Sequence, residues 1–481
     1  MRNYQRQFSI IAVTMSLVKK ICSGITTWVL IFTFACKKDI KSDSESSIEQ
    51  KSKSYHIDNI IGQGFNGGSH ATLMVSSLKN TGKFIGVGKI NYSDGFRLMQ
   101  IDRKSGIDWM NTYLSENIDP QIVTCSEIDA EENIWIGGYN QFNSINGFAK
   151  PLLAKLDKNG NVLFSKYFPK SISQFSLLTL FGTSLKVLSN SDILFLSTGS
   201  TTMELTRLSK TGEVIWNKRL SSDIETSGGS ANANRMLETN QGDIFLLSSE
   251  RQQNQNSEGL HLYKLDLQGH VLFSKNYQFA PFDSDSDIKI FQLQSTELLL
   301  IGHRYFSGKV IPFMIKVNPE NGKVIGGIIF DKSYQNNYPV KITNMVEFED
   351  YLLVNCIVDW EYDVLKFDKN LSLISSVKTL RKSDGSISTG VMVHDKTEKS
   401  LYHFIDDAGP EGGTGFQLLK TDEAGTSCHV FTKQPFVIGF TPLLITELNV
   451  ARSFIEIAAP NYPFSWKKTE MSDHKANTVC Q

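Results

Sequence analysis

The sequence predicts an all-β protein made of seven copies of one four-stranded unit. Three observations predict it. With 30 Phe, 15 Tyr and 35 Gly among 481 residues, the chain is rich in strand formers and turn formers. One hairpin recurs, as "LDKNGNVLFSKYF" at 156–168, "LSKTGEVIWNKRL" at 208–220 and "LDLQGHVLFSKNY" at 265–277. The residues that open its turn, Asp102, Asp157, Ser209, Asp266, Asn318, Asp368 and Asp422, stand 50 to 57 residues apart. A near-fixed period of that size marks a repeat architecture.

The N-terminal elements come first. Lys19 and Lys20 precede an apolar run from Ile21 to Ala35, shorter than the roughly 20 residues a spanning helix needs. A positive region, a short apolar region and a small residue before a cut describe a secretory signal over residues 1–35, for which Met15 gives a tidier start than Met1. "TFAC" followed by "KKD" resembles a bacterial lipoprotein cleavage site, with Ala35 as the small residue; Thr33 and Phe34 depart from the usual Leu and Ala or Ser. The resemblance implies that Cys36 becomes the lipidated, palmitate-bearing first residue of a protein held at the outer membrane, on its periplasmic or its surface side. An uncleaved signal anchor and a soluble secreted protein are the other readings of the same segment. Residues 36–54 continue as a polar stretch with no aromatic residue, which cannot bury enough surface to fold and reads as a tether.

Within the repeat, Asp suits the first position of a type I turn and the glycine accepts the left-handed conformation that follows, closing a hairpin with a bulge. This covers Asp157 to Gly160, Ser209 to Gly212, Asp266 to Gly269 and Asp422 to Gly425. Two units insert one residue, placing the glycine at Gly106 and Gly322, and Pro319 suits the second of these turns. The sixth unit carries Leu371 where glycine belongs, so its turn is expected to close differently. Seven residues after the openers stand Trp109, Phe164, Trp216 and Phe273, then Ile325, Ser375 and His429. The aromatic ones read as packing between neighbouring sheets.

Upstream of each hairpin lies another strand pair, such as "LKVLSN" with "DILFLSTGS" (185–200) and "IKIFQLQS" with "ELLLIGHR" (288–304). About four strands per period match one blade, so a seven-bladed β-propeller over 55–431 is expected, with a β-rich extension at 432–481. The ring closes either through "SYHIDNII" (54–61), as the last blade's outer strand, or through "TSCHVF" (426–431). The units resemble the Asp-rich repeat propellers of bacterial envelope proteins and are similar to the tryptophan-bearing blades of quinoprotein dehydrogenases. That resemblance implies the fold; propellers host binding modules and enzymes alike.

Chemistry is sparse in the motifs. Gly62-x-Gly64-x-x-Gly67 has dinucleotide-fingerprint spacing, but the following "ATLMVSSL" reads as a strand rather than a helix. Asp283, Asp285 and Asp287 alternate and could offer oxygens to a structural calcium, yet the Gly and distal Glu of an EF-hand loop are missing. No H-E-x-x-H, G-x-S-x-G or P-loop pattern occurs, so no catalytic or cofactor-binding residue is assigned. Cys125 and Cys356 lie in apolar runs as buried thiols, while Cys428 and Cys480 bracket the tail and are expected as a disulfide. A net charge of −1 offers no field for nucleic acid. The expected function is a non-catalytic, envelope-anchored binding or scaffold module for a protein or glycan. A propeller enzyme, quinoprotein-like or carbohydrate-active, is the alternative.

Overall fold

The computed structural model describes the strands and short turns between residues 54 and 478. Residues 1–53, the longer connections (among them 58–72, 141–149, 169–181, 221–234 and 331–339), the breaks between the tail strands and 479–481 lie outside the described residues. Cys36, Cys428, Cys480 and the glycines of 62–67 fall there. The ring belongs to the compact unit Lys51–Gln481.

Every described element is a strand, and the strands form seven antiparallel sheets. Each sheet is one blade, and the fold is a seven-bladed β-propeller. Blades one to six take consecutive strands, within 73–115, 121–167, 182–220, 235–278, 284–330 and 341–379. The first strand of each blade is the innermost, and innermost strands touch from blade to blade, with Leu73–Ser77 of blade one meeting Ser386–Asp395 of blade seven; at the fifth–sixth joint Lys341–Glu347 meets Leu298–Phe306 and Lys309–Val317. Blade seven takes its fourth strand from the N-terminus: Ser54–Ile57 pairs with Thr414–Asp422, Ser54 opposite Leu419 and Ile57 opposite Phe416. Of the two closures read from the sequence, "SYHIDNII" is the one used. In the other, Val430–Phe431 goes instead to blade six, pairing with Leu373–Thr379.

The core is divided among the seven joints, one apolar cluster between each pair of neighbours. The second and third strands are covered on both faces, so they read as unbroken apolar runs, as in Ile193–Thr198, which is buried at all six positions. Outer strands such as Val162–Tyr167 alternate, one face packed and one half exposed.

The tail is the feature that the repeat did not foretell. Phe440–Pro442, Thr446–Asn449, Phe454–Glu456, Tyr462–Pro463 and Trp466–Glu470 pair in turn with the outer strands of blades five, four, three, two and one. Asn477–Thr478 then pairs with Ser54–Ile57 on blade seven. With Val430–Phe431 on blade six, the C-terminal strands circle the ring against the chain order and give every blade a fifth strand. Residues 432–481, expected as a β-rich extension, supply strands to the rim of the ring. The belt also ties neighbours together: Val324 N of blade five donates to Glu447 Oε1 at 2.7 Å from the belt strand on blade four. Lys468 Nζ donates to Asn161 Oδ1 at 3.2 Å, from blade one to the turn of blade two.

Candidate functional site

The two ends of the blades are built differently. At one end lie the hairpin turns. Asp157 Oδ1 accepts from Asn159 N (2.9 Å) and Asn161 N (2.8 Å), and Gly160 N donates back to Asp157 O (2.9 Å). Gly160 takes φ +79°, and the pairing register slips one residue past Lys155, the bulge the sequence predicts. The sixth turn corrects the expectation made for it. Asp368 N donates to Ser372 O at 2.9 Å and Leu371 N to Asp368 O at 3.1 Å, with Leu371 itself at φ +67°. The turn closes as the others do, because Leu371 is buried in the apolar cluster between blades five and six, which offsets its backbone strain.

The aromatic residues at the seventh position reach forward to the next blade's turn. A β-carbon on Gly160 would meet Trp109 Cη2 at 3.1 Å, and one on Gly212 would meet Phe164 Cζ at 2.4 Å. The same holds for Gly269 against Trp216 Cη2 (2.9 Å) and Gly322 against Phe273 Cε2 (2.9 Å). In the fifth unit the count is shifted by one. Register places Gly326, not Ile325, opposite Lys316, where Phe164 stands opposite Lys155. Ile325 is the bulged residue and half exposed. The fifth–sixth joint therefore has glycine in the preceding blade and leucine in the turn, the reverse of the aromatic-on-glycine arrangement at the four joints before it.

Third-strand side chains tie the turns of neighbouring blades. Gln100 donates to Lys158 O (3.3 Å), Lys155 to Lys210 O (3.1 Å), Arg207 to Leu267 O (2.7 Å) and Lys316 to Lys369 O (3.1 Å). The same cations are paired within their own blades, Lys155 with Asp129 at 3.1 Å and Lys316 with Glu297 at 2.6 Å. Hydrogen bonds from its neighbours hold the Asp129 carboxyl below the usual carboxylate range against the opposing effect of burial. These charges are thereby committed to holding the ring.

Toward the other end, where blade-to-blade connections leave, the strands carry buried polar groups. Ser248, His261 and Asn276 stand in one row across blade four. Glu204 pairs with Arg219 at 2.7 Å on blade three. On blade six, Cys356 stands opposite Asp363. Asp363 is 2% exposed, its Oδ1 has no partner among the described residues, and burial pushes its carboxyl up to about 7. Burial, with a smaller contribution from Asp363, pushes the Cys356 thiol well above its ordinary value. Leu365 and Phe367, on the same face of the strand as Asp363, pack against Leu299 and Ile301 of blade five, so the carboxyl is directed into that joint. His303, two residues beyond Ile301, is placed on the facing surface. Between blades six and seven, His403 is enclosed with Tyr362 Oη 3.0 Å from Nδ1 and Thr421 Oγ1 3.0 Å from Nε2, and burial pushes the ring down to about 3.

Among the described residues no three His, Cys, Asp or Glu side chains are placed to hold a metal. Of the aspartates considered for calcium, Asp285 and Asp287 belong to the strand Ser284–Gln292, and Asp283 lies outside the described residues. Cys125 and Cys356 are buried and form no disulfide among the described residues. Asp363, His303 and His403 were missed in sequence because they come from separate blades; a polar residue interrupting an apolar run, as in "LYHFI", is the signal they leave.

No protein-family profile matches the chain, and no curated protein matches it. Among solved structures it is similar to the polysaccharide lyase Uly1, at 11% identity over 76% of this chain and 94% of that one, with a TM-score of 0.44. A prolyl endopeptidase matches at 10% identity and TM-score 0.42 over 75% of this chain; the match spans 49% of that enzyme's length. An exo-beta-1,3-galactanase from Phanerochaete chrysosporium matches at 11% identity and TM-score 0.30, over 82% and 94% of the two chains.

Proposed function

We propose that the protein is a lipid-anchored binding module of the bacterial envelope, displaying one face of the propeller to a protein or glycan. One observation carries this reading. Ser54, which follows the tether, starts its strand opposite Leu419, so the chain enters blade seven from the end at which Asp422 opens its turn. An anchor at Cys36 would therefore hold the hairpin-turn face toward the membrane, leaving the opposite face, with the longer connections, turned outward. Connections of varied length on a rigid ring supply a recognition surface, and the belt covers the sheet edges that would otherwise compete for partners. The test has two arms. Fatty-acid labelling should be lost in Cys36→Ser. Envelope proteins and glycans should bind wild type, and replacing 141–149 or 221–234 by Gly-Ser sequence should abolish binding while Lys158→Ala leaves it intact.

Asp363 favours the second reading, a propeller enzyme, either carbohydrate-active or quinoprotein-like. A carboxyl that titrates near neutrality can hold the proton a general acid delivers. Its enclosure between two blades argues for the binding module. Turnover of a glycan that Asp363→Asn abolishes without loss of fold would reverse the preference.

A further inference from the structure

We infer that His403 is an acid-operated latch between blades six and seven. It holds the joint only as the neutral ring with its proton on Nε2, and a second proton opens the joint. Three contacts fix the place of the first proton. Tyr362 Oη of blade six lies 3.0 Å from Nδ1, and Thr421 Oγ1 of blade seven lies 3.0 Å from Nε2. The Thr421 hydroxyl has one hydrogen, which it donates to Asp422 O at 2.9 Å. Toward His403 it therefore accepts, so Nε2 carries the ring proton and Nδ1 accepts from Tyr362. Burial pushes the Tyr362 hydroxyl well above its ordinary value, so it keeps the proton it donates. A β-carbon at Gly390 of blade seven would meet Tyr362 Cε2 at 2.3 Å, and the bare backbone there admits the phenol ring. One chain of donors thus runs from Tyr362 through His403 and Thr421 to the carbonyl of Asp422, the residue that opens the turn of blade seven.

A proton on Nδ1 breaks that order. The ring then donates at both nitrogens, Tyr362 must turn its hydrogen away, and a cation is enclosed at a residue 1% exposed. By register the other titratable groups on the two facing surfaces are Lys341, Tyr351 and Lys366 on blade six and His56, His394 and Asp407 on blade seven, with Glu423 in its turn. Among the described residues His403 bonds to Tyr362 and Thr421 and to none of these. Burial accordingly pushes the ring down to about 3. Once the joint parts, the ring takes its proton at the ordinary value of about 6.5, so acid favours the opened joint as pH falls below that value. The other face of blade six responds in the opposite sense. Asp363, next to Tyr362 on the strand, faces the joint with blade five, and its enclosure favours the protonated carboxyl. Acid therefore loosens one side of blade six and leaves the other closed.

Buried methionines report the joints separately. Met392 belongs to the cluster between blades six and seven, Met314 to that between five and six, and Met203 to that between three and four. Hydrogen peroxide gives one oxygen to an accessible thioether and leaves as water, and the sulfur has no proton of its own to titrate. Full-length wild type oxidised at pH 7 and at pH 5, then mapped by peptide, should show Met392 reacting about tenfold faster or more at pH 5, with Met314 and Met203 unchanged. His403→Gln, whose amide donates and accepts without titrating, should hold the Met392 rate level across that range. Nitrogen-15 NMR of histidine-labelled wild type at pH 7 should place the His403 proton on Nε2. A proton on Nδ1, oxidation of Met392 and Met314 rising in step, or an acid response that survives in His403→Gln would each overturn the inference. If His403→Gln fails to fold, the Met392 to Met314 ratio and the tautomer of wild type still decide it.

Discussion

The ring of Phe164 lies so close to Gly212 in the next blade's turn that a β-carbon there would stand 2.4 Å from its Cζ. Gly212 also takes φ +82°, so two independent requirements fall on one residue. The same pairing recurs at four joints, where blades one to four each supply an aromatic group to the glycine turn of the next blade.

Gly212→Ala should therefore cost about 2–4 kcal/mol, the sum of a left-handed alanine and an overpacked contact. Gly242→Ala is the control: φ is +85°, and a β-carbon meets nothing within 4 Å. It should cost only about 1 kcal/mol. Denaturant unfolding of both variants measures the difference, and Phe164→Leu should recover part of the loss in Gly212→Ala.

Leu371 should show an inverted order of substitutions. Leu371→Ala loses buried contacts and keeps the strained φ, costing about 2–4 kcal/mol. Leu371→Gly loses slightly more contact but relieves φ +67°, so it should be more stable than Leu371→Ala by about 1 kcal/mol. Thermal unfolding of the pair checks it.

Stability should vary with pH through two enclosed groups acting in opposite senses. Asp363 titrates near 7 when folded against an ordinary 3.8, so folding holds a proton that the unfolded chain gives up. Its contribution is complete below 3.8 and is lost as pH rises through 7, by on the order of 4 kcal/mol. His403 falls to about 3 from 6.5, so its contribution is complete above 6.5 and is lost as pH falls toward 3. The two slopes nearly cancel between pH 4 and 6.5. Asp363→Asn should remove one, and its unfolding free energy should then rise with pH across that range.

A chain ending at residue 431 should self-associate. Without the belt strands from 440 to 478, the outer strands of blades one to five present unpaired edges along the positions that Phe440–Glu470 now cover. Light scattering and size-exclusion chromatography compare it with the full chain; a monomer of equal stability would count against the belt's protective role.

The blades were legible because hairpin turns and packing aromatics are local chemistry repeated at a period. Leu371 was misread because its compensation is tertiary, coming from the joint with blade five. The belt strands are two to five residues long and take their conformation from the blades they meet, so no local pattern announced their course. Asp363 and His303 face the joint between blades five and six and His403 the joint between blades six and seven, so each takes its surroundings from a neighbouring blade, which a linear motif cannot express.

The central claim is that the outward face binds without chemistry. The direct measurement incubates the anchored protein with envelope glycans and proteins, captures what is retained on the wild type and weighs it by mass spectrometry. Retention of an intact ligand, lost when 221–234 is replaced and unchanged in Asp363→Asn, is the expected result. Recovery of cleaved or oxidised product, formed by the wild type and not by Asp363→Asn, would contradict it.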